Sequence, residues 1–175
     1  MTATNPDIRG TVRAAVIRLE PMDRAEFDAL LERAIPRRAA KWVERGIWTQ
    51  ERALETARKN LAKTLPAGLD TPGNHFLKVL SEEDGRSVGE VWYSTEEEGG
   101  KVQFWVEWIE IYTEHRRKGY ATEVLQRLEE AAARLGADRI GLTVWNDNPN
   151  ALRLYSKLGY LPANMNLTKR LPGRS

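Results

Sequence analysis

Apolar residues recur in the first third of the chain at helical spacing, three or four positions apart. The first stripe has four members: Phe27, Leu30, Leu31 and Ala34. Asp23 and Glu26 precede it at the spacing of a capping box, which predicts that a helix begins there. Pro36 lacks the N–H that a helix interior needs, so it is expected to end or bend this helix, with a short basic helical stretch continuing to Gly46. A second helix is predicted from Thr49, with a stripe of its own: Leu54, Ala57, Leu61 and Leu65.

The middle of the chain has the pattern of strands. Residues 14–19 form one short candidate, and further strands follow the Pro- and Gly-rich segment 66–74, which is predicted to be a loop. These later candidates are residues 76–80, 87–94 and 102–112, separated by turns rich in Gly and acidic residues. Together they predict an antiparallel meander.

The C-terminal part returns to helical spacing. A helix is predicted over 120–135, with Gly136 as its stop, and another over 149–158, with Pro149 in its first turn. Strands are predicted at 140–145 and 164–169. A meander followed by strand, helix, strand, helix and strand predicts an α/β fold (α+β by stricter terms) with a mixed central sheet.

Composition limits the chemistry. The chain has 175 residues, of which 41% are hydrophobic and 30% charged, as expected of one compact domain. We expect residues 1–12 to be a flexible tail and 13–175 to be the domain. Cysteine is absent, which excludes disulfides and thiolate chemistry, and two widely separated histidines argue against a metal site. A net charge of +2 does not favour nucleic acid or membrane as a partner, and no apolar run of the signal-peptide kind begins the chain. These features predict a cytoplasmic protein without a metal.

The most informative segment joins the last strand of the meander to the next helix. It comprises Arg116, Arg117, Lys118, Gly119, Tyr120, Ala121 and Thr122. Free amides at a helix N-terminus carry partial positive charge, Gly119 lets the backbone approach a ligand closely, and the basic side chains add to the positive field. The segment predicts an anion site, although it has neither Walker nor dinucleotide-fingerprint spacing. The alternative is a basic turn that only caps a core helix.

Two blocks of the sequence resemble those of one family. Residues 116–121, with the pattern Arg-x-x-Gly-x-Ala, resemble the Arg/Gln-x-x-Gly-x-Gly/Ala signature of the GNAT superfamily of N-acetyltransferases. Residues 148–160, with the pattern Asn-x-x-Ala-x-x-x-Tyr-x-x-x-Gly-Tyr, resemble its later block. The resemblance implies a single GNAT-like domain in which a C-terminal strand–helix–strand unit binds coenzyme A. It implies that the turn holds the coenzyme's pyrophosphate and that acetyl-CoA is the cosubstrate.

The resemblance also implies roles for residues outside the turn. Asn148 would face the pantetheine arm, although its place before Pro149 suits a plain helix cap equally well. Tyr155 would protonate the leaving thiolate, with core packing as the alternative. The strand end at Ile109 and Ile111 would contact the coenzyme, and a backbone N–H near Ile111 would polarise the thioester carbonyl.

The sequence leaves open which group deprotonates the attacking amine. A lysine-like amine titrates near ~10.4, so a carboxylate, often acting through water, helps to remove its proton. Glu107 and Glu110 lie on the strand that leads into the turn. By simple alternation they point to opposite faces, and a bulge would change that. Some family members carry an acid on the next strand, whereas residues 141–145 contain none.

Together these inferences predict an N-acetyltransferase that moves an acetyl group from acetyl-CoA to a primary amine by direct attack. The acceptor is a small molecule or a protein amine, and a homodimer is compatible with the sequence. Trp42 and Trp48, on either side of Gly46, are candidates to line the acceptor groove. Two alternatives stay open: a non-catalytic acyl-CoA-binding or sensor domain, and a domain that chiefly binds proteins without a coenzyme.

Overall fold

The computed structural model describes residues 16–169, which form two compact units divided between Leu142 and Thr143. The described part of the first unit contains these helices and strands: β1 (Ile17–Pro21), α1 (Arg24–Glu44), α2 (Gln50–Thr64), β2 (Asn74–Ser81), β3 (Ser87–Glu98), β4 (Lys101–Ile111), α3 (Tyr120–Arg134) and β5 (Ala137–Leu142). The second unit contains α4 (Pro149–Lys157). The predicted tail, residues 1–12, lies outside the described residues.

The sheet has the order β1-β2-β3-β4-β5. Neighbouring strands from β1 to β4 are antiparallel, and β5 is parallel to β4. The predicted meander, followed by a strand–helix–strand unit in a mixed α/β sheet, is confirmed. Helix α3 connects the parallel strands β4 and β5, and residues 112–119 join the end of β4 to its N-terminus.

The two faces of the sheet carry separate hydrophobic clusters. On one face, Val91 and Val106 pack with Leu128 of α3. On the other face, Phe27 of α1 packs edge-on against Phe76 of β2, with ring centroids 4.7 Å apart. Helices α1 and α2 contact each other through small side chains: Ala39, Ala53 and Ala57. Fully burying a large apolar side chain contributes about 1.5–3 kcal/mol, so the two clusters hold the helices to the sheet.

Helix α1 begins as predicted but does not end at Pro36. Oδ1 of Asp23 accepts a hydrogen bond from the Glu26 N–H at 2.8 Å, and the Asp23 N–H donates to Oε2 of Glu26 at 2.9 Å. The helix then runs through Pro36 as one element, so the predicted separate basic stretch is part of α1. Pro36 is exposed, while Ile35 and Ala39 on either side of it pack in the contact with α2. Tertiary packing therefore outweighs the local cost of the proline.

Strand β5 lies three residues earlier than the predicted 140–145. Gly136, at φ 79°, closes α3, and the strand starts immediately after it. The residues that follow the strand form a turn, in which the Asn148 N–H donates to the Trp145 carbonyl at 3.1 Å. The sequence therefore predicted the strand correctly and placed its bounds wrongly.

The last predicted strand, residues 164–169, is not formed. Residues 161–169 contain neither helix nor strand. Three apolar side chains there are at least 77% exposed: Leu161, Met165 and Leu167. A strand needs a neighbour to pair with, and none of the described strands pairs with this segment.

Candidate active site

The chain between β4 and α3 has the backbone geometry of an anion site. Gly119 precedes the first helical residue and lies in the left-handed region, at φ 88° and ψ −7°. Arg117, two residues earlier, also has a positive φ, of 61°. The Glu123 N–H bonds back to the Gly119 carbonyl at 3.1 Å, so the N–H groups of residues 120–122 precede the first helical hydrogen bond. Such amides point out of the helix N-terminus and favour a negative ligand.

Three basic residues, Arg116, Arg117 and Lys118, precede these amides in the chain, and Arg116 ties the turn to the end of β4. Its Nε donates to the Ile111 carbonyl at 2.9 Å, and its Nη2 lies 3.8 Å from Oε1 of Glu110. Arg117 and Lys118 are exposed, as is half of the Arg116 side chain (51%). The sequence-predicted turn residues are thus brought together around one helix end.

The last part of β4 is not paired with β5. The parallel register ends at Val106, five residues before the end of β4. On the other side of β4, the Tyr112 N–H donates to the Val88 carbonyl of β3 at 2.9 Å. Successive N–H groups of a strand point in alternate directions, so those of Ile109 and Ile111 point away from β3, toward the edge that β5 has left.

A bulge interrupts the alternation of β4. Val106 lies opposite Tyr93, whereas Trp108 lies opposite Trp92, which makes Glu107 an extra residue on β4. In agreement, Val106 packs in the cluster on the sheet face that α3 covers, and Trp108 packs against the cluster on the face that α1 covers.

This bulge places Glu107 and Glu110 on the same face, the one covered by α1. The hydroxyl of Ser94 donates to Oε1 of Glu107 at 2.9 Å, and Ser94 shares a face with Trp92, two residues before it. Glu110 pairs with Arg37 of α1. Of the two arrangements open from the sequence, simple alternation is wrong and the bulge is correct.

The two carboxylates differ in their surroundings. Arg37 contacts both oxygens of Glu110, whose side chain is only 13% exposed, and the same guanidinium lies 5.2 Å from the centroid of the Trp108 ring. Glu107 is exposed, with Ser94 as its hydrogen-bond donor. Glu110 is therefore fixed by side chains of two elements, Arg37 of α1 and Arg116 of the turn, whereas Glu107 has a single side-chain partner.

Sequence reasoning missed Glu90, the cross-strand neighbour of Glu110. Its residue is 1% exposed, and its carboxylate pairs with Arg33 of α1. Trp108 Nε1 and the Tyr112 hydroxyl also donate to it, each at 3.3 Å. Burial, followed by the charge of Glu90, raises the pKa of the Tyr112 hydroxyl. The available signal was a lone acid in the otherwise apolar run 88–92, since a buried carboxylate requires partners.

In the second unit, the block 148–160 forms α4 and the turn after it. Oδ1 of Asn148 accepts from the Ala151 N–H at 3.2 Å, so the predicted helix cap is present. The ring of Tyr155 lies 5.7 Å from that of Tyr160, and burial raises the pKa of the Tyr155 hydroxyl. Tyr155 therefore keeps its proton at neutral pH, as a proton donor must.

Taken together, the first unit offers donors for an anion, two strand-edge amides for a carbonyl oxygen, and carboxylates beside them. This set suits acyl transfer from a phosphate-bearing carrier. Between residues 16 and 169, no three His, Asp or Glu side chains are grouped as metal ligands. None of the helices there combines the length and apolar character that crossing a bilayer requires.

Comparisons with known proteins agree with this chemistry. The pattern of the family described as "Acetyltransferase (GNAT) family" matches residues 29–160. Two Bacillus subtilis proteins are similar over most of the chain. "Uncharacterized N-acetyltransferase YdgE" is 30% identical over 87% of this chain and 97% of its own length, and "Uncharacterized N-acetyltransferase YycN" is 31% identical over 89% and 99%.

Solved structures support the same assignment. The crystal structure of the putative acetyltransferase YycN from Bacillus subtilis superposes with a TM-score of 0.83 at 29% identity, covering 90% of this chain and 100% of that one. A putative acetyltransferase from Pyrococcus furiosus, 21% identical over 89% of this chain and 100% of its own, shares the fold with a TM-score of 0.59. The match covers the turn and the α4 block alike, and the chain belongs to the GNAT family of acetyltransferases.

Proposed function

We propose that the protein is a cytoplasmic N-acetyltransferase, in which a primary amine attacks the thioester of acetyl-CoA directly. One observation carries the proposal: an anion-binding helix start at Gly119 follows a strand end whose Ile109 and Ile111 amides point to an unpaired edge. A pyrophosphate and a thioester carbonyl are the two groups that such a pair of sites would hold. We further propose that residues 13–175 act as one domain.

In this proposal the amides of residues 119–122 bind the pyrophosphate, assisted by the side chains of Arg116, Arg117 and Lys118. Acetyl-CoA, when bound, supplies the activated acetyl group. The thioester carbonyl accepts from the Ile111 N–H, which stabilises the charge that forms on oxygen during attack. Asn148 faces the pantetheine arm in addition to capping α4.

The attacking amine must lose a proton, and one of two carboxylates accepts it. Glu110 lies between the two edge amides in sequence and is held by Arg37, whereas Glu107 is exposed at the bulge. Glu110→Gln and Glu107→Gln distinguish them. The variant that lacks the base loses most of its turnover near neutral pH and recovers part of it at higher pH, as the amine deprotonates unaided. If both variants keep full turnover, neither carboxylate is the base.

The acceptor is a small-molecule or protein amine, and the α1–α2 connection is proposed to line its groove. Trp42 and Trp48 stack there, with ring centroids 5.1 Å apart and planes 14° from parallel. Trp42 lies in the last turn of α1 and Trp48 in the connection after it, both C-terminal to Arg37, which contacts β4 at Glu110. The residues proposed to line the groove thus lie C-terminal to the contact between α1 and β4.

The test is release of coenzyme A from acetyl-CoA with a panel of amines, measured alongside thermal stability. Turnover with any amine supports the transferase. A ligand present at 100 times its Kd adds about 2.7 kcal/mol of stability, which a melting curve detects. Stabilisation by acetyl-CoA without turnover on any amine indicates the acyl-CoA sensor instead. Absence of both effects refutes the coenzyme site and leaves a protein-binding domain.

A further inference from the structure

We infer that Glu110 links the coenzyme site to α1, because Arg37 and Arg116 compete for its carboxylate and coenzyme binding leaves it to Arg37 alone. Arg37 is thereby a positioning residue that acts through Glu110. The inference rests on the proposed function in one respect, since it takes coenzyme A to be the ligand of the turn.

The two arginines reach Glu110 from different elements. Arg37 comes from α1 and contacts both carboxylate oxygens, while Arg116 comes from the turn and lies 3.8 Å from one of them. Arg116 makes its closer contact with the Ile111 carbonyl, at 2.9 Å. Arg37 is therefore the tighter partner of Glu110, and Arg116 the one that is more easily withdrawn.

A phosphate bound at the turn would compete with Glu110 for the guanidinium of Arg116. Guanidinium groups bind phosphate oxygens in a two-pronged, charge-assisted way, and the Arg116 side chain is half exposed beside the helix start that would hold the phosphate. In the free protein, Glu110 opposes coenzyme binding in two ways: it holds Arg116 back, and it places a negative charge near the turn. Arg37 offsets both effects by occupying the Glu110 oxygens.

The same contacts fix α1 against the sheet. Arg37 also lies over the Trp108 ring, and Trp108 donates to the buried Glu90, which pairs with Arg33 one helical turn earlier on α1. Two arginines of one helix face thus contact two neighbouring carboxylates of β3 and β4. A change in the partners of Glu110 therefore alters one of the contacts that hold α1 against the sheet.

The test measures the Kd of coenzyme A itself by calorimetry, so it does not require turnover. The contact of Glu110 with Arg116 is long and the Arg116 side chain is half exposed, so Glu110→Gln should tighten binding about two- to fivefold, and Arg37→Gln should weaken it by a similar factor. These factors equal about 0.4 to 1 kcal/mol at 1.4 kcal/mol per tenfold. The double variant should bind like Glu110→Gln alone, because Arg37 has nothing left to act through.

Arg38→Gln is the matched control, since it removes the same charge from the exposed neighbouring position. Equal Kd values for Arg37→Gln and Arg38→Gln overturn the inference, as does an Arg37→Gln effect that persists in the Glu110→Gln background. If Arg37→Gln does not fold, Arg37→Lys replaces it: lysine keeps the charge without the planar fork, and binding should weaken by a smaller factor. A wild-type protein that does not bind coenzyme A overturns the proposed function together with this inference.

Discussion

Alanine substitutions at the two ends of α3 separate backbone strain from loss of the coenzyme site. Gly119 has φ 88° at the start of the helix, and Gly136 has φ 79° at its end. An L-residue in the left-handed region costs roughly 1–2 kcal/mol, partly offset because alanine has fewer unfolded conformations than glycine. Gly119→Ala and Gly136→Ala should therefore each lower stability by about 1 kcal/mol. For a chain of this size, that corresponds to a Tm lower by about 2–4 °C.

Only the first of these substitutions should affect coenzyme binding. A Cβ on Gly136 has no heavy atom of its surroundings within 4 Å, so its effect is confined to strain. Gly119 comes directly before the amides of residues 120–122, and under the proposed function a Cβ there would obstruct the approach of the pyrophosphate. Loss of one hydrogen bond to a charged group costs about 1.5–3 kcal/mol, which predicts a Kd for acetyl-CoA raised about tenfold to a hundredfold.

The assay pairs calorimetric Kd values with melting curves for both variants and the wild type. Equal Kd values for Gly119→Ala and Gly136→Ala would refute the assignment of this helix start as the pyrophosphate site. Gly119→Glu extends the test, because it adds bulk and a repelling charge. A folded Gly119→Glu variant that binds acetyl-CoA as the wild type does would contradict the reasoning independently.

Two further predictions concern Tyr155 and Glu90. In the proposed mechanism Tyr155 protonates the thiolate of coenzyme A as it leaves, so Tyr155→Phe, which removes only the hydroxyl, should reduce turnover about 10²- to 10⁴-fold while leaving acetyl-CoA affinity and Tm nearly unchanged. If Tyr155 is merely packed, Tyr155→Phe is harmless in a turnover assay and only Tyr155→Ala does damage. Because burial raises its pKa, folded Tyr155 holds its proton to higher pH than the unfolded chain, so its contribution to stability is present at neutral pH and is lost as pH rises above ~10. Glu90→Ala should cost about 1–3 kcal/mol in urea unfolding, because it leaves the half-exposed Arg33 and two part-buried donors without their acceptor. Glu97→Ala, at an exposed position of the same strand, should stay within about 0.5 kcal/mol, and equal losses in the two variants would show that the Glu90 contacts contribute nothing.

The sequence by itself determined the features that depend on a few neighbouring residues. The capping box at Asp23 and Glu26, the left-handed glycines at the two ends of α3, and the cap at Asn148 all involve contacts within four positions. Such contacts can be read directly from residue types and spacing. Together with apolar periodicity, they were sufficient to predict the mixed sheet and the order of elements from β1 to α4, although a further strand was predicted after α4 that is not formed.

Tertiary structure decided what depends on residues far apart in the chain. The bulge at Glu107 exists only in the register between β3 and β4, and it alone brings Glu107 and Glu110 to one face. The buried Glu90 is paired with Arg33, which lies 57 positions away in the sequence. Pro36 remains inside a helix because the packing of α1 on α2 outweighs its local preference. Local propensity cannot predict these partners. The free energy that selects them comes from burial and pairing, and both exist only once the sheet and helices have assembled.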